Sequence, residues 1–152
     1  MDLSQLEPLR LPLNLGLAVI GGGVVGWNRQ RTNHAAGLRT MMLVSLGAAA
    51  FVAAGATLGA GDVAAAAASR VLQGIVGGIG FLGAGSLIRA GQHVKGVTTA
   101  AAIWATAGIG TAFGLGLYVL GATTVALTML ILWLSPVEAA VFGERNGERP
   151  AA

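Results

Sequence analysis

The chain has 152 residues, 55% of them hydrophobic and 10% charged, with 25 glycines, no cysteine and a mean hydropathy of +0.75. Soluble domains carry roughly 25% charged residues, so this composition excludes a water-facing globular surface and implies a bilayer as solvent. The absence of cysteine excludes disulfides, thiolate metal sites and cysteine nucleophiles.

The N-terminal stretch carries Asp2 and Glu7 and lacks a basic leader. The first apolar run ends in Asn28-Arg29-Gln30-Arg31 without a small-residue cleavage motif, so it reads as a retained span. That span covers residues 11–27, with Pro12 suited to a helix start and Trp27 to the membrane interface. A loop with Arg29, Arg31 and His34 follows, then a second span over residues 40–58. Gly59-Ala60-Gly61-Asp62 is a turn, and the alanine-rich residues 63–69 are a helical lead-in to a third span, residues 71–88, bracketed by Arg70 and Arg89. The polar loop 90–96 comes next.

Residues 97–134 hold no charged side chain. A single helix of that length would measure about 57 Å, nearly twice the hydrocarbon thickness of about 30 Å. The segment therefore folds back at Gly114-Leu115-Gly116, giving spans over residues 98–113 and 117–134, and Ser135-Pro136 ends the last helix. The expected architecture is an all-α integral membrane protein. Residues 1–136 form a bundle of about five short helices packed on glycine and alanine, and residues 137–152 form a short charged tail.

The net charge of +3 comes from basic residues standing singly at the ends of apolar runs. That is a topology signal, and no nucleic-acid partner is expected from it. With the N-terminus outside, Arg29, Arg31, Arg39, Arg89, Lys95, Arg145 and Arg149 are cytoplasmic and only Arg10 and Arg70 are not, a split of seven to two. The positive-inside rule favours this orientation, with a periplasmic N-terminus and a cytoplasmic C-terminus.

Helices in lipid associate by close backbone approach through small residues. GxxxG spacings occur at Gly22–Gly26, Gly55–Gly59 and Gly110–Gly114. The third span is richer still, with Gly74, Gly77, Gly78, Gly80, Gly83, Ala84 and Gly85 smoothing more than one face. The expectation is that this helix lies at the bundle's centre, although the same surface would also serve a partner protein or a second copy.

Gly78-Ile79-Gly80-Phe81-Leu82-Gly83 matches GxGxxG, but that fingerprint needs a preceding strand, and here it lies inside an apolar span. No Asp or Glu falls between Glu7 and Asp62 or between Asp62 and Glu138. Proton and cation pathways commonly place carboxylates at mid-membrane, and Mg²⁺ sites usually use one or two of them. Gln73, about one turn inside the third span, is expected to bond across helices, and Asp62 to pair with Arg70. Arg39, Arg89 and Lys95 form a basic cytoplasmic cluster suited to lipid headgroups, an anion or a partner. His34 and His93 lie in separate loops, so no metal, cofactor or catalytic residue is expected.

Three runs resemble the MgtC/SapB membrane domain. They are Gly37-Leu38-Arg39-Thr40; the stretch from Arg70-Val71-Leu72-Gln73-Gly74 through Gly80-Phe81-Leu82-Gly83-Ala84-Gly85; and Val94-Lys95-Gly96-Val97-Thr98-Thr99-Ala100-Ala101 with Trp104. The resemblance covers about residues 15–134. It implies a bacterial inner-membrane protein of about five spans, linked to growth in low magnesium. Its members are described as acting on other membrane proteins, including ion pumps and the F-type ATP synthase. Met41 stands where the family often has histidine, Lys95 where it has arginine, and Gly77 where serine or threonine is common. Many members add a soluble C-terminal domain, where this sequence has its short tail.

The leading expectation is a non-enzymatic modulator that grips other integral proteins through its third and fourth spans, with a homo-oligomer as a further assembly. Its interaction residues would be Arg39, Asp62, Arg70, Gln73, Gly78, Gly80, Gly83, Gly85, Arg89, Lys95, Thr98, Thr99 and Trp104. The rival is a small channel or transporter for Mg²⁺ or another ion, built on backbone carbonyls near residues 78–85.

Overall fold

A computed structural model describes residues 7–58, 61–90 and 93–134. Five helices run up and down: α1 (Glu7–Arg31), α2 (Leu38–Ala56), α3 (Asp62–Gly85), α4 (Val97–Gly114) and α5 (Tyr118–Trp133). Between α3 and α4 lies a two-stranded antiparallel hairpin, β1 (Ile88–Ala90) and β2 (His93–Lys95). Four helices are long and apolar enough to cross a bilayer. The fifth, α5, has 16 residues, about 24 Å of helix. The expected stop at Pro136 and the charged tail fall outside the described residues.

Several boundaries differ from the sequence reading. α1 begins before Pro12 and continues through Asn28–Arg31, so Arg29 is helical and not in a loop. α3 starts at Asp62, because the alanine run is a strong helix former and the Asp62 carboxylate complements the helix's positive end. It stops at Gly85, and the Ser86 hydroxyl donates to the Gly83 carbonyl at 2.7 Å. Ile88, expected in the third span, pairs instead with Lys95 in the hairpin. Gly96 then closes the hairpin onto α3 with φ of 95°, and a Cβ there would lie 2.2 Å from the Ser86 carbonyl oxygen. Only glycine meets both demands.

The fold-back at residues 114–116 is where the sequence placed it. The Leu117 N–H bonds to the Ala112 carbonyl and the Gly116 N–H to the Phe113 carbonyl, with Gly116 at φ of 73°. This is a Schellman stop, and it turns α4 into α5.

The centre of the bundle is α2, not α3. On one side, a Cβ at Gly22 would sit 2.5 Å from the Met41 carbonyl oxygen, and one at Gly26 would sit 2.7 Å from Leu38 Cα. On the other, a Cβ at Gly110 would lie 2.0 Å from the Ser45 carbonyl oxygen, and one at Gly114 would lie 2.6 Å from that of Ala49. Two of the GxxxG pairs thus press α1 and α4 backbone-to-backbone against α2. Met41, Ser45, Ala49 and Val52 are fully buried there. α5 covers the α1–α4 seam through Gly121 on Phe113.

Buried polar groups knit this core. The Ser45 hydroxyl donates to the Ala18 carbonyl at 2.6 Å. Thr106 donates to the Ala102 carbonyl at 2.7 Å and lies 3.4 Å from Met41 Sδ. At the opposite end the Tyr118 hydroxyl donates to Asn14 Oδ1 at 2.8 Å. Ser45→Ala is expected to lower stability by about 1 kcal/mol, the net value of one such bond, read as an earlier thermal unfolding midpoint in detergent.

α3 stands at the edge. Among its described side chains only Gly83 is buried. Ile75 and Ile79 rest on the core cluster of Val44, Ala48 and Ile103, and Gly55 meets Val71 near the far end. A Cβ added at Gly74, Gly77, Gly78, Gly80 or Gly85 would meet nothing within 4 Å. The expectation of a central third span is therefore overturned. Apart from Gly83, its glycines are left uncovered by the described residues.

Candidate functional site

The residues of α3 sort into three faces by helical periodicity. Ile75, Ile79 and Gly83 point to the core, and a Cβ at Gly83 would lie 3.5 Å from Ala100 Cβ. Gly74, Gly78 and Leu82 line a groove against α2. Gln73, Gly77, Gly80 and Ala84, at i, i+4, i+7 and i+11, form the third face and are all exposed. Gln73 does not bond across helices as expected: among the described residues no partner reaches its amide. Nor does Asp62 pair with Arg70. Eight residues apart on one helix they are about 12 Å apart along its axis.

The other feature is the basic end, where α1 finishes and α2 and α4 begin. Arg29, expected in a loop, is 2% exposed and donates through Nη2 to the Thr99 hydroxyl, which is also buried. Its Nε is buried without a hydrogen-bond partner among the described residues. Asp62 is the sole described carboxylate side chain, and it lies at the far end of α3. Buried cations are normally paired, so Arg29 and Thr99 are the polar core of this end. Next to them the His34 N–H donates to the Arg29 carbonyl at 3.1 Å. Partial desolvation, then the Arg29 charge, holds the His34 imidazole below its ordinary value.

The predicted interaction residues divide between these features. Arg39 is exposed in the first turn of α2, Lys95 is exposed in β2, and Thr98 is exposed beside buried Thr99. Arg89 lies in β1, and its side chain is outside the described set. Trp104 is 56% exposed on α4. Asp62, Arg70, Gln73, Gly78, Gly80 and Gly85 are exposed on α3, and Gly83 alone of the predicted glycines is packed. No group of three or more potential metal ligands occurs among the described residues. Arg29 is the residue the sequence reading missed. It follows the packed Gly22 and Gly26 by one more helical step, the signal that places it against the core.

These features define a small multipass membrane bundle whose most glycine-rich helix faces outward. Comparison with known proteins gives it a lineage. The MgtC family model matches residues 15–139, and the chain belongs to that family. It is 43% identical over 141 residues to protein SrpB of Synechococcus elongatus, covering 86% of this chain and 77% of that one. To the putative magnesium transporter YhiD of Escherichia coli it is 39% identical over 125 residues, covering 79% and 58%. To MgtC of Salmonella typhimurium it is 43% identical over 122 residues, covering 79% of this chain and about half (51%) of the relative. No solved structure matches the chain.

Proposed function

We propose that the protein is a non-enzymatic modulator of other integral membrane proteins in a bacterial inner membrane, serving cells limited for magnesium. One observation carries this reading: the uncovered α3 face of Gln73, Gly77, Gly80 and Ala84. Small residues let a partner helix approach closely, and an amide in lipid gains a hydrogen bond only by finding a protein partner. The family's reported action on ion pumps and the ATP synthase names the class of partner. The basic end faces the cytoplasm in this reading, with the N-terminus periplasmic, so a reporter fused after Gly143 is expected to be cytoplasmic.

The name of the YhiD relative favours the rival, transport of Mg²⁺. Against it, α3 runs unbroken from Asp62 to Gly85, so the carbonyls of residues 78–81 are engaged along the helix, and those of Gly83 and Ala84 accept from Ser86 and Leu87 in the turn that follows, instead of lining a gap of the kind broken-helix transporters use. A photoreactive residue at position 80 tests the modulator reading in native membranes. The expected result is a crosslink to a second integral protein, lost in Gln73→Leu, whereas position 83 crosslinks within the chain. Crosslinks from position 80 confined to α2 or α4 of the same chain would count against it.

A further inference from the structure

The groove between α2 and α3 has a volume of about 870 Å³ and runs from Thr40 and Leu82 at the basic end to Leu58 and Val71 at the other. Thr40 is the sole polar residue among those lining it. The groove continues at the basic end into a second recess of about 310 Å³, which shares Thr40, Val44 and Leu82 and adds Ser86. An apolar crevice thus opens into a more polar chamber at one end.

Cations stand at that chamber. Arg39 precedes Leu43 and Gly47 by one and two helical turns, and both line the groove, so Arg39 shares their stripe at the groove's basic end. Lys95 is the residue before Gly96, whose backbone packs directly on Ser86 of the recess wall. Arg39 and Lys95 are both exposed. Among the described residues no carboxylate side chain lies at this end to neutralise them.

We infer that the groove and its recess hold one anionic phospholipid, its phosphate between Arg39 and Lys95 and an acyl chain along Leu43, Gly47, Gly78 and Ile79. Shape and charge decide between a lipid and a helix as occupant. The crevice closes where a Gly55 Cβ would meet Val71 Cγ2 at 2.8 Å, and a helix cannot enter a wedge that narrows to contact. A flexible acyl chain can, and the two cations favour a headgroup with net negative charge. The site is separate from the outward α3 face, so it stands or falls independently of any protein partner.

The test is native mass spectrometry of the purified full chain with added phosphatidylglycerol or phosphatidylcholine of the same acyl composition. One phosphatidylglycerol is expected to be retained in preference to phosphatidylcholine. Arg39→Gln and Lys95→Gln should each weaken that preference about five-fold, the effect of one cation near an anionic headgroup. Gly78→Leu, whose Cβ would meet no protein atom within 4 Å and whose branched end would occupy the groove, should abolish retention of the lipid, and Gly74→Leu should do the same. Gly16→Leu, open and on α1, should leave retention unchanged. Equal retention of the two lipids would overturn the inference, as would full retention in a correctly folded Gly78→Leu or Gly74→Leu. Displacement of the lipid by millimolar inorganic phosphate would likewise show an anion site that does not use the groove. A dimer that Gly78→Leu dissociates would assign the groove to a second copy instead.

Discussion

Gly110→Leu is expected to abolish the folded bundle, and Gly80→Leu to leave it intact. Both glycines sit in apolar helices with similar neighbours in sequence, so propensity does not separate them. Their surroundings do. A Cβ at position 110 would be 2.0 Å from the Ser45 carbonyl oxygen and 2.7 Å from its carbon. Both are backbone atoms that no rotamer change can move. Ordinary overpacking costs about 1–3 kcal/mol. Here α2 and α4 must separate along a seam that includes Gly114 on Ala49 and the buried Thr106, so the loss should reach about 4 kcal/mol or more, the range of exceptional single substitutions. At position 80 a Cβ meets nothing within 4 Å. Thermal unfolding and monodispersity in detergent read both variants. Equal tolerance of both would mean that α4 does not lie against α2.

Thr99→Val should destabilise the protein more than Arg29→Met, although arginine is the larger and charged member of the pair. Valine preserves the shape of threonine but removes the hydroxyl that accepts from Arg29 Nη2. The guanidinium then remains buried with Nε already unpartnered, and the loss of a hydrogen bond to a charged group costs about 1.5–3 kcal/mol. Methionine at position 29 removes the charge together with its desolvation penalty and keeps much of the volume. Such replacements are often neutral or stabilising, so a change within about 1 kcal/mol is expected. The double variant should resemble Arg29→Met alone, giving a coupling of about 2 kcal/mol in a thermodynamic cycle. A larger loss for Arg29→Met than for Thr99→Val would show that the guanidinium has a further strong partner.

Much of the architecture was legible in the sequence because its signals are local. An uncharged run too long for one span, broken by Gly-Leu-Gly, predicts the α4–α5 hairpin, and the Gly116 stop is built as expected. The spacings Gly22–Gly26 and Gly110–Gly114 predict close helix contacts, and both are found. What the sequence did not disclose is which partner each smooth face meets. α3 carries more glycine than α1 or α4, yet glycine permits approach without requiring it, so its abundance pointed to the wrong helix as the centre. Arg29 was hidden for a related reason. A basic residue at the end of an apolar run reads as a topology anchor, and only the depth to which α1 packs against α2 and α4 buries it. Asp62 and Arg70 paired plausibly by charge, but two helical turns separate them. The hairpin of β1 and β2 leaves no mark in the sequence, because three-residue strands give no usable alternation.

The same uncovered helix carries the functional reading: a chain that transports must enclose a path, and one that modulates must present a surface. The most direct measurement is Mg²⁺ flux into liposomes that contain only this purified protein. The proposed modulator should give no uptake above that of empty liposomes. Saturable Mg²⁺ uptake that Gly80→Leu abolishes would contradict it, because that substitution touches only the outward face of α3.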